Sequence, residues 1–107
     1  MNAVLKALSH PIRRAVLKHL RGGDATAGEL AALFAVAKPT MSRHFQVLKD
    51  ADLVAAERRG TEIIYSFNAS VADELVAGLA DLFGTAAHEN GAQTASSMGA
   101  GMAGDPK

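Results

Sequence analysis

The stretch AKPTMSRHFQVLKDADLV, residues 37–54, decides how this chain is read. Pro39 suits the first turn of a helix, where its missing N–H costs nothing. On a helix begun there, a step of about 100° per residue brings Met41, Phe45 and Leu48 within about 60° of one another. The same step sets Arg43, Gln46 and Asp50 on the far side. Thr40 and Ser42 flank the N-terminal end. The predicted helix, running to roughly Ala51, thus has an apolar side to bury and a polar, partly basic side to display.

Working upstream, AVA at residues 35–37 is a turn of three residues, and Thr26 begins a shorter helix before it. Thr26 and Glu29 have the spacing of a capping box, in which hydroxyl and carboxylate satisfy otherwise unpaired N-terminal amides. Leu30, Leu33 and Phe34 are expected to face inward. Two short helices joined by a tight turn, the second with a polar outer face, make helix-turn-helix geometry. Earlier still, Pro11 opens a helix to Leu20 with Ile12, Val16, Leu17 and Leu20 inside and Arg13, Arg14 and Lys18 outside. It is capped by Ser9 or His10 and closed by RGGD at residues 21–24. Val4, Leu5 and Leu8 have helical spacing in a first short helix.

Downstream, Leu53 and Val54 open a strand, Gly60 in RRG allows a turn at positive φ, and TEIIYSF, residues 61–67, returns with Ile63, Tyr65 and Phe67 on one face. This is a β-hairpin with a basic tip. A last helix, capped by Ser70 and ending near Phe83, carries an apolar stripe of Val71, Leu75, Leu79, Leu82 and Phe83 with Val76 at its edge. The predicted fold is therefore mainly α with a small β-hairpin: a winged helix-turn-helix occupying residues 1–83. From Gly84 onward small and polar residues dominate, so residues 84–107 read as a disordered tail.

Composition bounds the function. At 107 residues the chain suits one core. It has no run of 18 apolar residues and no charged-then-apolar leader pattern, so a cytoplasmic location is expected. With no cysteine, disulfides, thiolate metal sites and cysteine nucleophiles are excluded. The formal net charge of zero conceals a split. Residues 1–60 hold ten Lys/Arg against five Asp/Glu, and residues 61–107 hold one Lys against six acids. An anionic partner for the basic part follows naturally.

Position identifies that partner as double-stranded DNA. Arg donates twice to a guanine edge, Gln pairs with adenine, and Ser or Thr reaches a base or a phosphate, so the polar face of the second helix suits a major groove. Lys38, Thr40, Ser42, Arg43 and Gln46 are the expected base or groove contacts. Lys49, Arg58, Arg59 and Thr61 are the expected phosphate or wing contacts. Catalysis is not expected: no triad is assembled, the acids at Asp73 and Glu74 have no apolar pocket implied around them, and Gly22-Gly23 lacks a phosphate-loop pattern. His10, His19, His44 and His88 are scattered and read as caps, surface or packing residues, and no cofactor is expected. The apolar stripe of the last helix and Val4, Leu5 and Leu8 of the first exceed what this small fold covers. A homodimer is therefore expected through Val4, Leu5, Leu8, Leu75, Val76, Leu79, Leu82 and Phe83.

The blocks ALSHPIRRAVLKHL, TAGELAALF, KPTMSRHFQVLKDADLV and ERRGTEIIYSF together resemble the ArsR-type winged helix-turn-helix repressors, and the pattern of the middle two is similar to the SdpR-like autorepressor subgroup. The resemblance spans residues 3 to about 83. It implies a dimer on an inverted-repeat operator, commonly that of its own promoter, released by a signal. There are departures. Glu29-Leu30 is followed by Ala31, Ala32 and Leu33, where family metal sensors carry a cysteine pair. The last helix has Asp73 followed by Leu75, and downstream only adjacent His88 and Glu89, which does not match the spacing of the zinc and nickel sites. The customary glycine before the hairpin is Asp52. Two other readings fit the same fold: a winged-helix interaction module sequestered by a protein or membrane partner, and a sensor holding an unidentified effector at its dimer interface.

Overall fold

The computed structural model describes residues 1–85. Its elements run α1 (Asn2–Leu8), α2 (Pro11–Leu20), β1 (Ala25–Thr26), α3 (Ala27–Phe34), α4 (Lys38–Asp50), β2 (Val54–Arg59), β3 (Glu62–Phe67) and α5 (Ala69–Phe83). The chain divides into two compact units, Met1–Ala72 and Asp73–Lys107.

In the first unit, sequence punctuation sets most element boundaries. His10 caps α2 by accepting from the Ile12 N–H at Nδ1, 3.1 Å, with Pro11 at the first helical position. Thr26 and Glu29 form the reciprocal capping box of α3, the Glu29 N–H donating to Thr26 Oγ1 at 3.0 Å and the Thr26 N–H to Glu29 Oε1 at 2.8 Å. α4 starts at Lys38, one residue ahead of Pro39, and no side chain caps it.

Three helices end in the same way. The N–H of Val36 donates to Ala31, that of Leu53 to Leu48 and that of Thr85 to Ala80, each with a left-handed residue just before it: Ala35 at φ 51°, Asp52 at φ 59° and Gly84 at φ 70°. This is the Schellman motif, and its left-handed position favours glycine. Asp52 adopts the conformation that the customary glycine would have. Asn68 supports it by donating from Nδ2 to the Asp52 carbonyl at 2.9 Å and from its backbone N–H to Leu53 at 2.9 Å, which closes the base of the hairpin.

The sheet has three strands in the order β1-β3-β2, all antiparallel, where the sequence shows only a hairpin. β1 pairs Ala25 with Tyr65 and Thr26 with Ile64. Thr26 is thus at once a strand residue and the cap of α3, which ties the helix-turn-helix to the wing. Gly60, at φ 62°, is the first of two loop residues between the paired Arg59 and Glu62, as in a type II′ turn.

Val16, Leu17 and Leu20 of α2, Leu30 and Ala31 of α3, Met41, Phe45 and Leu48 of α4, and Leu53, Val54 and Tyr65 form one buried core, with Phe45 stacked on Tyr65 at 4.3 Å between ring centroids. Val4 and Leu8 of α1 and Val71 lie partly buried against it.

Three expectations need correction. Leu33 is 55% exposed instead of inward-facing. The buried arc of α3 runs through Leu30, Phe34, Ala27 and Ala31, about 100° wide, and Leu33 lies about 60° outside it. Arg13 and Arg14 are not simply solvated. They donate to carbonyls in the last turn of α1, Arg13 to Lys6 and Ala7 at 2.9 Å each and Arg14 to Leu8 at 2.7 Å. Ser70 does not precede α5, which already begins at Ala69.

The second unit carries most of α5, which ends at Phe83 with Gly84 and Thr85 closing it. Residues 86–107, including His88, Glu89 and most of the expected tail, lie outside the described residues.

Candidate nucleic-acid interface

The site is built on the phase of α4. With Met41, Phe45 and Leu48 in the core, Lys38, Thr40, Ser42, Arg43, Gln46 and Lys49 are all exposed. Every expected groove residue is therefore on the surface of the unit, carried by a helix whose other side is locked in place. Because Ala37 offers no side-chain cap, the first-turn amides of Lys38 and Thr40 remain available at the positive end of the helix. The turn before α4 is set by left-handed Ala35, so the angle between α3 and α4 is fixed by backbone conformation.

The wing stands beside the start of α4. An open cleft of about 340 Å³ separates them, lined by Gly28 of α3, Lys38 and Ser42 of α4, and Thr61 and Glu62 of the wing tip. Arg58 and Arg59 are adjacent but not equivalent. By strand register Arg58 pairs with Ile63 and lies on the hairpin face shared with Tyr65, whereas Arg59 pairs with Glu62 on the opposite face. Arg59 also makes an ion pair with Glu57 at 3.2 Å, both side chains being exposed, and Arg58 has no ion pair among the described residues.

Two contacts on α4 were not legible in the sequence. Gln46 donates from Nε2 to Asp50 Oδ1 at 2.8 Å, one turn along the exposed face. On the buried side, His44 Nδ1 lies 3.2 Å from Arg13 Nη1, and its ring centroid is 4.5 Å from that of His10. Burial, then the neighbouring His10, then the Arg13 guanidinium hold the His44 pKa below the ordinary imidazole value. His44 is therefore neutral at pH 7, accepting from Arg13 at Nδ1 and packing where α1, α2 and α4 meet. Burial raises the Tyr65 phenol above its usual value, consistent with its place under the wing. Among the described residues no three His, Asp or Glu side chains group as metal ligands. No helix among them is long and apolar enough to cross a membrane.

A capped helix, a tight turn, a helix with an exposed polar face and a three-stranded wing beside it define the class: a winged helix-turn-helix DNA-binding protein. The chain belongs to the ArsR-type family of transcriptional repressors, and it is a DNA-binding regulator, not an enzyme. Residues 8–56 match the family described as a helix-turn-helix domain. The chain is 43% identical over 76 residues to the transcriptional repressor SdpR of Bacillus subtilis, covering 71% of this chain and 84% of that protein. It is 33% identical over 82 residues to a biofilm growth-associated repressor of Xylella fastidiosa, covering 77% and 72% respectively. Among solved structures, an ArsR family transcriptional regulator superposes with a TM-score of 0.73 at 31% identity, covering 78% of this chain and 91% of that one.

Proposed function

We propose that this regulator is a homodimeric repressor that binds an inverted-repeat operator in double-stranded DNA, with each α4 in a major groove. Lys38, Thr40, Ser42, Arg43 and Gln46 contact bases or the groove, and Lys49, Arg58, Arg59 and Thr61 contact phosphates. Residues 1–83 are the working domain, in a cytoplasmic protein. The carrying observation is the phase of α4, which buries Met41, Phe45 and Leu48 and leaves all its candidate contacts exposed. Half-sites separated by about 34–36 Å, one helical turn, follow from two symmetry-related copies of that helix.

Exposed apolar side chains support the dimer. Leu5 of α1 is 47% exposed, and Val76, Leu82 and Phe83 of α5 are 59%, 67% and 70% exposed. Together with Val4, Leu8, Leu75 and Leu79 they are assigned to contacts with a second copy. The absence of cysteine leaves the inducing signal to something other than a thiolate-bound metal.

Electrophoretic shift of a duplex from the protein's own upstream region, repeated at two salt concentrations, tests the proposal. Retardation should weaken steeply with salt, by roughly 0.9 logarithmic unit per decade for each phosphate neutralised. Arg58→Ala should flatten that slope by about one unit, and Arg59→Ala by less because Glu57 is already paired with it. Binding that is absent, or insensitive to salt, would instead favour a module whose surface meets protein.

A further inference from the structure

Asp50 carries a charge that neither its helix nor the assigned partner favours. It is the last residue of α4, where the negative end of the helix dipole disfavours a carboxylate. It lies on the face assigned to an anionic partner, and among the described residues it has no ion pair. Among the described residues its one side-chain hydrogen bond is that accepted from Gln46 Nε2 at 2.8 Å.

That bond has a chemical consequence. A carboxylate only accepts, so it must meet the NH₂ end of the Gln46 amide and not the oxygen, and the flip of the amide is thereby decided. One N–H is committed to Asp50. One N–H and the carbonyl oxygen remain for a base edge. Adenine presents an N6 donor beside an N7 acceptor in the major groove and matches that remainder. Guanine presents two acceptors, N7 and O6, and would set one of them against the amide oxygen.

Resting on the reading of α4 as the groove-facing helix, we propose that Asp50 is a positioning residue for base specificity: it orients the Gln46 amide so that Gln46 selects adenine over guanine at one position of each half-site. Asp50 touches no base itself. It acts through Gln46, and its negative charge lowers affinity for every duplex alike.

The test uses the full chain and an operator duplex selected by the wild-type protein from a randomised library, with adenine-to-guanine replacements at each position. At one base pair per half-site the wild type should prefer adenine by roughly tenfold or more. Gln46→Ala and Asp50→Ala should both bring that ratio close to one. Asp50→Asn keeps an accepting Oδ1 and should keep the ratio, while sharing with Asp50→Ala a uniform gain on all sequences from the lost charge. A selective wild type whose adenine preference survives in Asp50→Ala overturns the assignment, as do Asp50→Ala and Asp50→Asn variants that behave identically. A wild type that binds no duplex in a salt-dependent way overturns the DNA reading, and this assignment with it.

Discussion

Ala35 carries the turn between α3 and α4 in the left-handed region at φ 51°, a conformation that costs an alanine about 1–2 kcal/mol more than the right-handed one. Glycine does not incur that cost. Ala35→Gly is therefore predicted to raise stability by about 1 kcal/mol, less the extra freedom that glycine gives the unfolded chain. Thermal denaturation should show a midpoint up by a few degrees, since 1 kcal/mol corresponds to about 4–8 °C in a domain of this size. Asp52 occupies the equivalent position at φ 59° after α4, but acidic and amide side chains tolerate this region better. Asp52→Gly should gain less. A midpoint that falls in Ala35→Gly would show that the turn is not held as described.

Among elements, the junction of α1, α2 and α4 depends on a neutral imidazole. The folded-state pKa of His44 lies below its unfolded value of about 6.5, so the unfolded chain binds the proton more readily. The stability that His44 contributes is fully present above pH 6.5 and is lost as pH falls from there through the lower folded value. Between pH 7.5 and pH 5.5, as a rough working range, the denaturation midpoint of the wild type should fall, and that of His44→Gln should fall less. Parallel pH profiles for the two proteins would remove His44 from the account.

The elements also show what a sequence makes legible. Pro11, the Thr26–Glu29 box and Pro39 are local punctuation, and α2, α3 and α4 start at or within a residue of where these residues set them. β1 has no such signal: two residues form no alternation, and their pairing with Tyr65 and Ile64 depends on chain nearly forty residues away. Leu33 and His44 make the complementary point. Leu33 lies about 60° beyond the edge of the buried arc of α3 and His44 about 40° beyond the Met41, Phe45 and Leu48 arc of α4, yet Leu33 is exposed and His44 buried, because α1 and α2 pack against that flank of α4. Periodicity locates the arc, and tertiary neighbours set its width. The exposed candidate residues of α4 were readable for that reason, whereas the Gln46–Asp50 and Arg13–His44 contacts depend on rotamers and on packing between helices.

For the whole molecule, the proposal requires two copies. Sedimentation velocity at micromolar concentration should give a dimer. Replacement of Leu82 and Phe83, both largely exposed in the single chain, by Ser should shift it to monomer and weaken operator binding more than binding to random duplex. A wild-type monomer under these conditions would contradict the dimer.

The most direct test of α4 as the reading element is the affinity of the wild type and of Arg43→Ala for a selected inverted-repeat operator and for a scrambled duplex of the same length, at one salt concentration. Arg43→Ala should lose roughly 5- to 150-fold per half-site on the operator, with a much smaller loss on the scrambled duplex. Equal losses on the two duplexes would contradict it.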